Sequence, residues 1–344
     1  MKAVVMHEFG EPGVLRYEDV PTPAPGQAEA LVKVAAVSVN RSLDVRIRAG
    51  RYHLKPSLPH VLGCDPAGTV VQLGNDVKGA AEGQRVVIKG NLQCGICSDC
   101  LAGRAAECKF TKQLGTTCWG GYAEYVCVPA INLRFFPENL SFAQASMISR
   151  HFPQAFRLLE DTARLQPGEW LLVMGAAGAL GSCLVQVGKL FGARVIAAAG
   201  SDERVASCLA NGADFAVNYR AANLAAEVMR ITDGHGADVV AENIADPTIW
   251  PGAFNSLARS GRLVTVGAHG GGIVEIDVNQ LYMKQLRIIG TAGSRPRDIE
   301  NAMKAAAEGR IRAIIGQIMP LQEAAEAHRL VEGNLVTGKV MLTP

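Results

Sequence analysis

The chain shows no excess of charge of either sign. Its 344 residues carry 34 Lys and Arg against 32 Asp and Glu, a formal net charge of +2. Neither nucleic acid nor an anionic membrane surface is an implied partner. The N-terminus, Met1-Lys-Ala-Val-Val-Met-His, lacks the apolar core of an export signal and alternates as a strand does. Repeats and low-complexity tails are also missing. One stretch lacks charge altogether: Trp170 to Gly188, 19 residues, the length of a membrane span. Four glycines and Gln186 inside it argue against a span, as does a second apolar strand, Arg194 to Ala199, just beyond it.

What the stretch does hold is a strand, a turn and a helix. Leu171 to Met174 is a short apolar run suited to a strand buried on both faces of a parallel sheet. Gly175 to Gly181 is a glycine-rich turn, and Ser182 to Gly192 reads as a helix. That order points bare backbone N–H groups and a helix N-terminus at a pyrophosphate. The spacing is Ala176-x-Gly178-x-x-Gly181, a dinucleotide fingerprint with alanine at its first position. Ala176, Ala177, Gly178, Ala179, Leu180 and Gly181 are therefore the expected cofactor turn.

The length allows two domains with proper cores, and 49% apolar with 19% charged residues suits a globular chain that buries a large sheet. Residues 1 to about 150 hold short strands between turns, such as Ala30 to Val39, Asp65 to Val71 and Gln84 to Ile88, which suggests a partly open antiparallel barrel. From about 153, strands at 171–174, 194–199, 214–217, 237–241, 262–266 and 286–289 alternate with helical segments, the pattern of a doubly wound parallel sheet. A helix near 297–309 follows, and Gly338-Lys-Val-Met-Leu342 is a strand that can return to the first domain.

Nine cysteines raise the question of redox compartment. Cys94, Cys97, Cys100 and Cys108 fall within fifteen residues, closer than a disulfide framework usually runs. With no export signal, a reducing cytoplasm and a metal site are expected. Four thiolates on one short loop fill a tetrahedral shell, as a structural zinc requires. Cys118, Cys127, Cys183 and Cys208 lie outside the spacing and are expected to be small core residues.

Taken together, the barrel-like domain, the cysteine lobe, Ala176-x-Gly178-x-x-Gly181 and the closing Gly-Lys-Val strand resemble the medium-chain dehydrogenase/reductase superfamily. Gly63-x-Asp65-x-Ala67-Gly68-x-Val70, Gly120-Gly-Tyr-Ala-Glu124 and Gly261-Arg-Leu-Val-Thr-Val-Gly267 match it as well. That superfamily includes zinc alcohol dehydrogenases and quinone oxidoreductases. The resemblance implies an α/β chain: a GroES-like β-barrel domain with the zinc lobe (94–108) over 1–152, a Rossmann domain over 153–290, and a segment 291–344 returning to the first domain.

Zinc alcohol dehydrogenases hold a second, catalytic metal, and this sequence lacks its ligands in the expected form. Asn40 or Arg41 stands where the first ligand, a cysteine before an aspartate, is expected, because the segment to Asp44 is a residue longer than usual. The Gly-His-Glu triplet reads Gly63-Cys64-Asp65, and the third place falls near Arg150 in Ser149-Arg150-His151. A catalytic zinc needs about three protein ligands and an open position. Cys64, Asp65 and His151 could form only an unorthodox set, beside two arginines. Cys64 is otherwise an inert core thiol. Asp65 either pairs with Arg150 or Arg41, or those arginines only solvate a rim.

Without a Lewis acid an alcohol is a poor substrate, whereas an enone, a quinone or an enoyl thioester already accepts charge onto oxygen. Such an acceptor needs donors such as Asn40, Arg41 or Arg150, and a proton from water or His151; the favoured reading of His151 itself is cofactor packing or a buried hydrogen bond. The acid that an NAD enzyme presents to the ribose is replaced by Gly200, followed by Ser201 and Arg204, which favours NADP(H) over NAD(H). Asp202 either reaches a ribose or sits in a helical turn capped by Ser201. Family resemblance places Tyr219 beside the adenine end, Lys339 near the cofactor phosphates unless it is a surface lysine, and Gly267, Ala268 and His269 beside the nicotinamide. The expected activity is NADPH-dependent reduction of an activated acceptor. The alternatives are a zinc alcohol dehydrogenase with altered ligands and a dinucleotide-binding protein without catalysis. Gly272 to Asp277 and Arg287 to Gly290 lie near the far end of the sheet, where the resembling family pairs an edge strand with its two-fold mate. A homodimer is expected, with a tetramer left open.

Overall fold

Short β-branched runs separated by Gly and Pro turns make the N-terminal strands of the computed structural model, which describes residues 1–104 and 107–344. Residues 105 and 106, part of the lobe 94–108, lie outside the described residues. The chain divides into two units, Met1–Arg150 with Ala306–Pro344, and His151–Ala305. Residues 291–305, grouped by the sequence with the returning segment, belong instead to the second unit. Their helix starts at Pro296, directly after the last strand of the parallel sheet, so the chain leaves that unit only afterwards.

In the first unit β1 (Lys2–Met6) pairs antiparallel with β2 (Leu15–Asp19) and β4 (His60–Val61). β3 (Glu29–Ser38) pairs with β5 (Ala67–Leu73) and β9 (Tyr125–Pro129), and β6 (Arg85–Ile88) and β10 (Leu133–Phe135) continue that sheet. β7 (Asn91–Leu92) and β8 (Lys112–Gln113) form a small ladder. The last residues return to this sheet. β17 (Ile315–Pro320) runs parallel to β18 (Lys339–Thr343), and β18 pairs antiparallel with the end of β3, Met341 opposite Ser38. The returning strand thus lies beside the chain that leads into Asn40. Short helices α1 (Arg46–Arg48), α2 (Ser98–Leu101) and α10 (Ala324–Glu332) decorate the unit, and the division between units falls inside α3 (Phe142–Phe156).

The second unit alternates strand and helix: β11 (Trp170–Met174), α4 (Ala179–Leu190), β12 (Arg194–Ala199), α5 (Asp202–Ala210), β13 (Phe215–Asn218), α6 (Leu224–Ile231), β14 (Ala237–Glu242), α7 (Trp250–Asn255), β15 (Leu257–Thr265), α8 (Val278–Met283), β16 (Arg287–Gly290) and then α9 (Pro296–Ala307). The sheet is parallel throughout, in the order β13-β12-β11-β14-β15-β16. That is the doubly wound order, in which the order of strand addition reverses between β11 and β14. Leu172, Met174, Ile196, Val240 and Leu263 fill its core, as the apolar runs require. Residues 272–277 form no strand, so the edge belongs to β16 alone. Among the described residues no helix is long and apolar enough to cross a membrane.

Candidate active site

The chain leaves β3 in extended form at Asn40 and turns at once into a π-helical turn, Arg41–Val45. Val45 N donates to the carbonyl of Asn40, five residues back, at 3.2 Å. The wide turn leaves Asn40 facing inward and throws Arg41 out. The Arg41 guanidinium is exposed and donates to Asn334 Oδ1. Of the two candidates for the first place, Asn40 is the one whose side chain is buried.

Around Asn40 lies a buried polar cluster. Its Nδ2 donates to Asp65 Oδ2 (3.1 Å), Ser38 Oγ (3.2 Å) and Cys64 Sγ (3.4 Å). Asp65 also accepts from Ser38 N (3.1 Å) and Ser38 Oγ (2.5 Å). Of the two readings of Asp65, the ion pair with Arg150 or Arg41 does not form among the described residues: the carboxylate is already satisfied by a hydroxyl, an amide and a backbone N–H. Asp44 accepts from Asn40 N (2.8 Å) and Gly63 N (3.2 Å). Burial, and then the charge of Asp65, push its carboxyl up to about 6. Cys64 is buried, and burial holds its thiol well above the ordinary range, which fits an inert protonated sulfur.

Lys339 is neither a surface lysine nor directed away from the site. It is 7% exposed, and its Nζ donates to Val39 O at 3.3 Å and to Asn40 Oδ1. The pairing of β18 with β3 brings it there. Arg150 lies within α3 rather than before a helix. Cys64, Asp65, Asp44 and Tyr52 lie near its guanidinium, the two carboxylates supplying the negative charge, and its buried Nε has no hydrogen-bond partner among the described residues. Arg150 is therefore a cation with donor capacity to spare, and Tyr52, unnoticed in the sequence, stands close enough to act on it. His151 is buried and belongs to the second unit.

The four lobe cysteines converge. Their sulfurs all lie within 4.8 Å of one another, with Cys94–Cys108 at 3.7 Å, Cys94–Cys100 at 3.9 Å and Cys97–Cys108 at 4.0 Å. A tetrahedron with metal–sulfur bonds of about 2.3 Å has edges of about 3.8 Å, so these donors fit zinc. Backbone N–H groups of Cys94 and Cys97 point at Cys108 and Cys94 sulfur, both at 3.4 Å. Among the described residues no other group of three or more His, Cys, Asp or Glu is placed to hold a metal. Of the remaining thiols, Cys183 and Cys208 are buried, whereas Cys118 and Cys127 are only half-buried, Cys127 against Glu29 at 3.5 Å.

In the second unit the glycine turn has the form the fingerprint demands. Gly175 has φ +60°, a Cβ at Gly178 would come within 3.1 Å of the Gly175 carbonyl oxygen, and one at Gly181 would collide with that oxygen. Ala176 is buried, its N–H bonded to Ala198 O at 3.0 Å. The chain enters α4 at Gly178 without a side-chain cap, so the N–H groups of Ala179, Leu180 and Gly181 remain open to an anion. Ala177 completes the turn. At the end of β12, Ser201 caps α5 by accepting from Arg204 N at 3.4 Å. Asp202 is fixed instead by Asn218 Nδ2 at 2.7 Å, as the helix-turn alternative required. The Tyr219 hydroxyl and Arg220 Nε lie 2.9 and 3.4 Å from where a Gly200 Cβ would sit. Arg220 thus joins exposed Arg204 near Gly200, a second cation that the sequence reading passed over. Gly267, Ala268 and His269 follow β15. Asn243, just past β14 and next to the point where the strand order switches, is 8% exposed with an unpartnered Nδ2; its Oδ1 lies 3.8 Å from where a Gly175 Cβ would sit. A polar pair, Glu242-Asn243, ending an apolar strand was the signal for it.

Comparison with known proteins agrees with both units. The family described as alcohol dehydrogenase GroES-like domain matches residues 26–138, and that described as zinc-binding dehydrogenase matches residues 179–308. The chain is 33% identical to the NAD-dependent alcohol dehydrogenase of Sulfolobus acidocaldarius over 99% of both chains. The chain belongs to the medium-chain dehydrogenase/reductase superfamily. It is 31% identical to the quinone oxidoreductase of Homo sapiens over 99% of this chain and 97% of that one. A crystal structure of an NAD-dependent alcohol dehydrogenase superposes with a TM-score of 0.91 at 39% identity, covering 100% of both chains. This dehydrogenase/reductase is accordingly an NAD(P)-dependent oxidoreductase with a GroES-like and a Rossmann-type domain.

Proposed function

We propose that this member of the superfamily reduces an activated acceptor, a quinone, enone or enoyl thioester, with NADPH and without a catalytic metal. The observation that carries the reading is Arg150: a guanidinium with an unpartnered Nε beside Cys64 and Asp65, in a cluster whose inward residue is Asn40 rather than a ligand. Bound NADPH would supply the hydride. Arg150 would stabilise the oxygen on which charge develops, since a fixed guanidinium in a buried site requires little reorganisation. The Tyr52 phenol, His151 or water would return the proton. Gly200 leaves no carboxylate for a ribose, and Ser201, Arg204 and Arg220 suit a 2′-phosphate. Cys94, Cys97, Cys100 and Cys108 would hold one structural zinc.

The similarity to alcohol dehydrogenases favours a second reading, alcohol oxidation with an added cleft metal. Steady-state rates with NADPH and 1,4-benzoquinone or but-3-en-2-one, set beside rates with NADP+ and ethanol, separate the two. Turnover of the quinone or enone with one zinc per chain supports the proposal. Alcohol oxidation that rises with a second zinc overturns it. For association we propose a homodimer through β16, the sheet edge, flanked by the exposed side chains of Val278, Tyr282 and Met283.

A further inference from the structure

We infer that Lys339 is a positioning residue of the candidate active site: its ammonium fixes the orientation of the Asn40 amide and balances two buried carboxylates, Asp44 and Asp65. The inference rests on reading this cluster as the active site. β18 and the chain beyond β3 are tied by Val39 N donating to Val340 O at 2.9 Å, and this register sets Lys339 beside Asn40. A primary amide has one accepting end and one donating end. The Asn40 oxygen accepts from Lys339 Nζ, so its NH2 must face the opposite way, onto Asp65 Oδ2, Ser38 Oγ and Cys64 Sγ. Exchanging the two ends would set NH2 against an ammonium and leave Asp65 without that donor. No direct ion pair joins Lys339 to either carboxylate among the described residues. The coupling runs ammonium to amide to carboxylate, a chain whose members polarise one another.

The burial makes this arrangement consequential. Asn40, Asp65 and Asp44 are 1%, 2% and 0% exposed. Charges buried so deeply persist only when compensated. Burial, and then Arg150, oppose the Lys339 charge, while the Asp65 and Asp44 carboxylates favour it. In turn Lys339 lowers the cost of ionising Asp44. Lys339 thus acts as an internal cation for a site whose residues do not assemble a metal.

Lys339→Met keeps the length and removes the charge. With NADPH and 1,4-benzoquinone, kcat should fall at least tenfold, while the Kd for NADPH changes less than threefold. A kcat at saturation unchanged, with NADPH binding weakened tenfold or more, would show that the amine serves cofactor phosphate and would overturn the inference. The second measurement needs no activity, so a wild-type protein inert toward every acceptor would remove only the functional reading. Urea unfolding of free protein between pH 5 and 9 should show the Lys339→Met variant losing stability more steeply as pH rises, since the carboxylates lose their cation. Lys339→Met with Asp65→Asn should flatten that slope again. An identical pH dependence in wild type and Lys339→Met overturns the proposed charge balance.

Discussion

Asp44→Asn isolates the electrostatic cost of the site. Asp44 is fully buried, and burial together with the Asp65 charge raises its carboxyl from 3.8 to about 6, against the pull of the Asn40 hydrogen bonds and Lys339. Arg150, Cys64 and Tyr122 also face it. A group with a raised folded value contributes stability that is fully present below its unfolded value and lost as pH rises through the folded one. The window is therefore about pH 4 to about pH 6, and a shift of about two units corresponds to about 3 kcal/mol. The Asn variant has no such titration. Its NH2 must also face one of the two backbone N–H groups that Asp44 accepts, a penalty that does not depend on pH. Wild-type minus variant unfolding free energy, measured in urea at pH 4 and pH 7.5, should consequently fall by about 3 kcal/mol across the interval. The constant penalty cancels in that difference. A difference that stays level, or that rises with pH, would refute a buried Asp44 carboxyl held near 6.

Elemental analysis of purified protein should give one zinc per chain, and Cys97→Ser should lose it with lower thermal stability; a variant that retains its zinc would show that the lobe is not the site. Arg204→Ala and Arg220→Ala should each weaken NADPH by about 1–3 kcal/mol, the value of a charged hydrogen bond, and leave NADH almost unaffected. Calorimetric titration that finds equal weakening of both cofactors would remove the arginines from 2′-phosphate recognition. Sedimentation at micromolar concentration should give at least twice the chain mass of 36.4 kDa. Ile289→Pro, which takes a donor from the edge strand, should shift that mass toward the monomer; a wild-type monomer at every concentration would end the shared-sheet proposal.

The parallel sheet was legible because its signals are local. Each strand of the second unit is a short apolar run, and the Gly175–Gly181 turn is legible because Gly181 has no room for a Cβ against the Gly175 carbonyl. The cysteine lobe was legible for the same reason: fifteen residues suffice to bring four sulfurs together. Arg220 was missed because its nearness to Gly200 depends on β13 lying beside β12, and on a side chain turning back across the strand end. Asn243 was missed because only the strand order puts β14 next to β11.

The buried Asn40 cluster marks where reading along the chain stops working. Asn40 and Lys339 are 299 residues apart, and only the pairing of β18 with β3 makes them neighbours. Family position alone assigned Lys339 to cofactor phosphates, yet the strand register turns its amine toward Asn40. The choice between Asn40 and Arg41 was likewise undecidable from spacing, because an inserted residue can be absorbed as a loop or as a widened helical turn. The 3.2 Å bond from Val45 N to the Asn40 carbonyl decides for the widened turn. Once that turn forms, Arg41 leaves the site, and Lys339 and Arg150 remain as its cations. The charge that opposes Asp44 and Asp65 therefore comes from α3, where the sequence had already offered Arg150, and from the end of the chain, where Lys339 could be placed beside Asn40 only once the fold had closed.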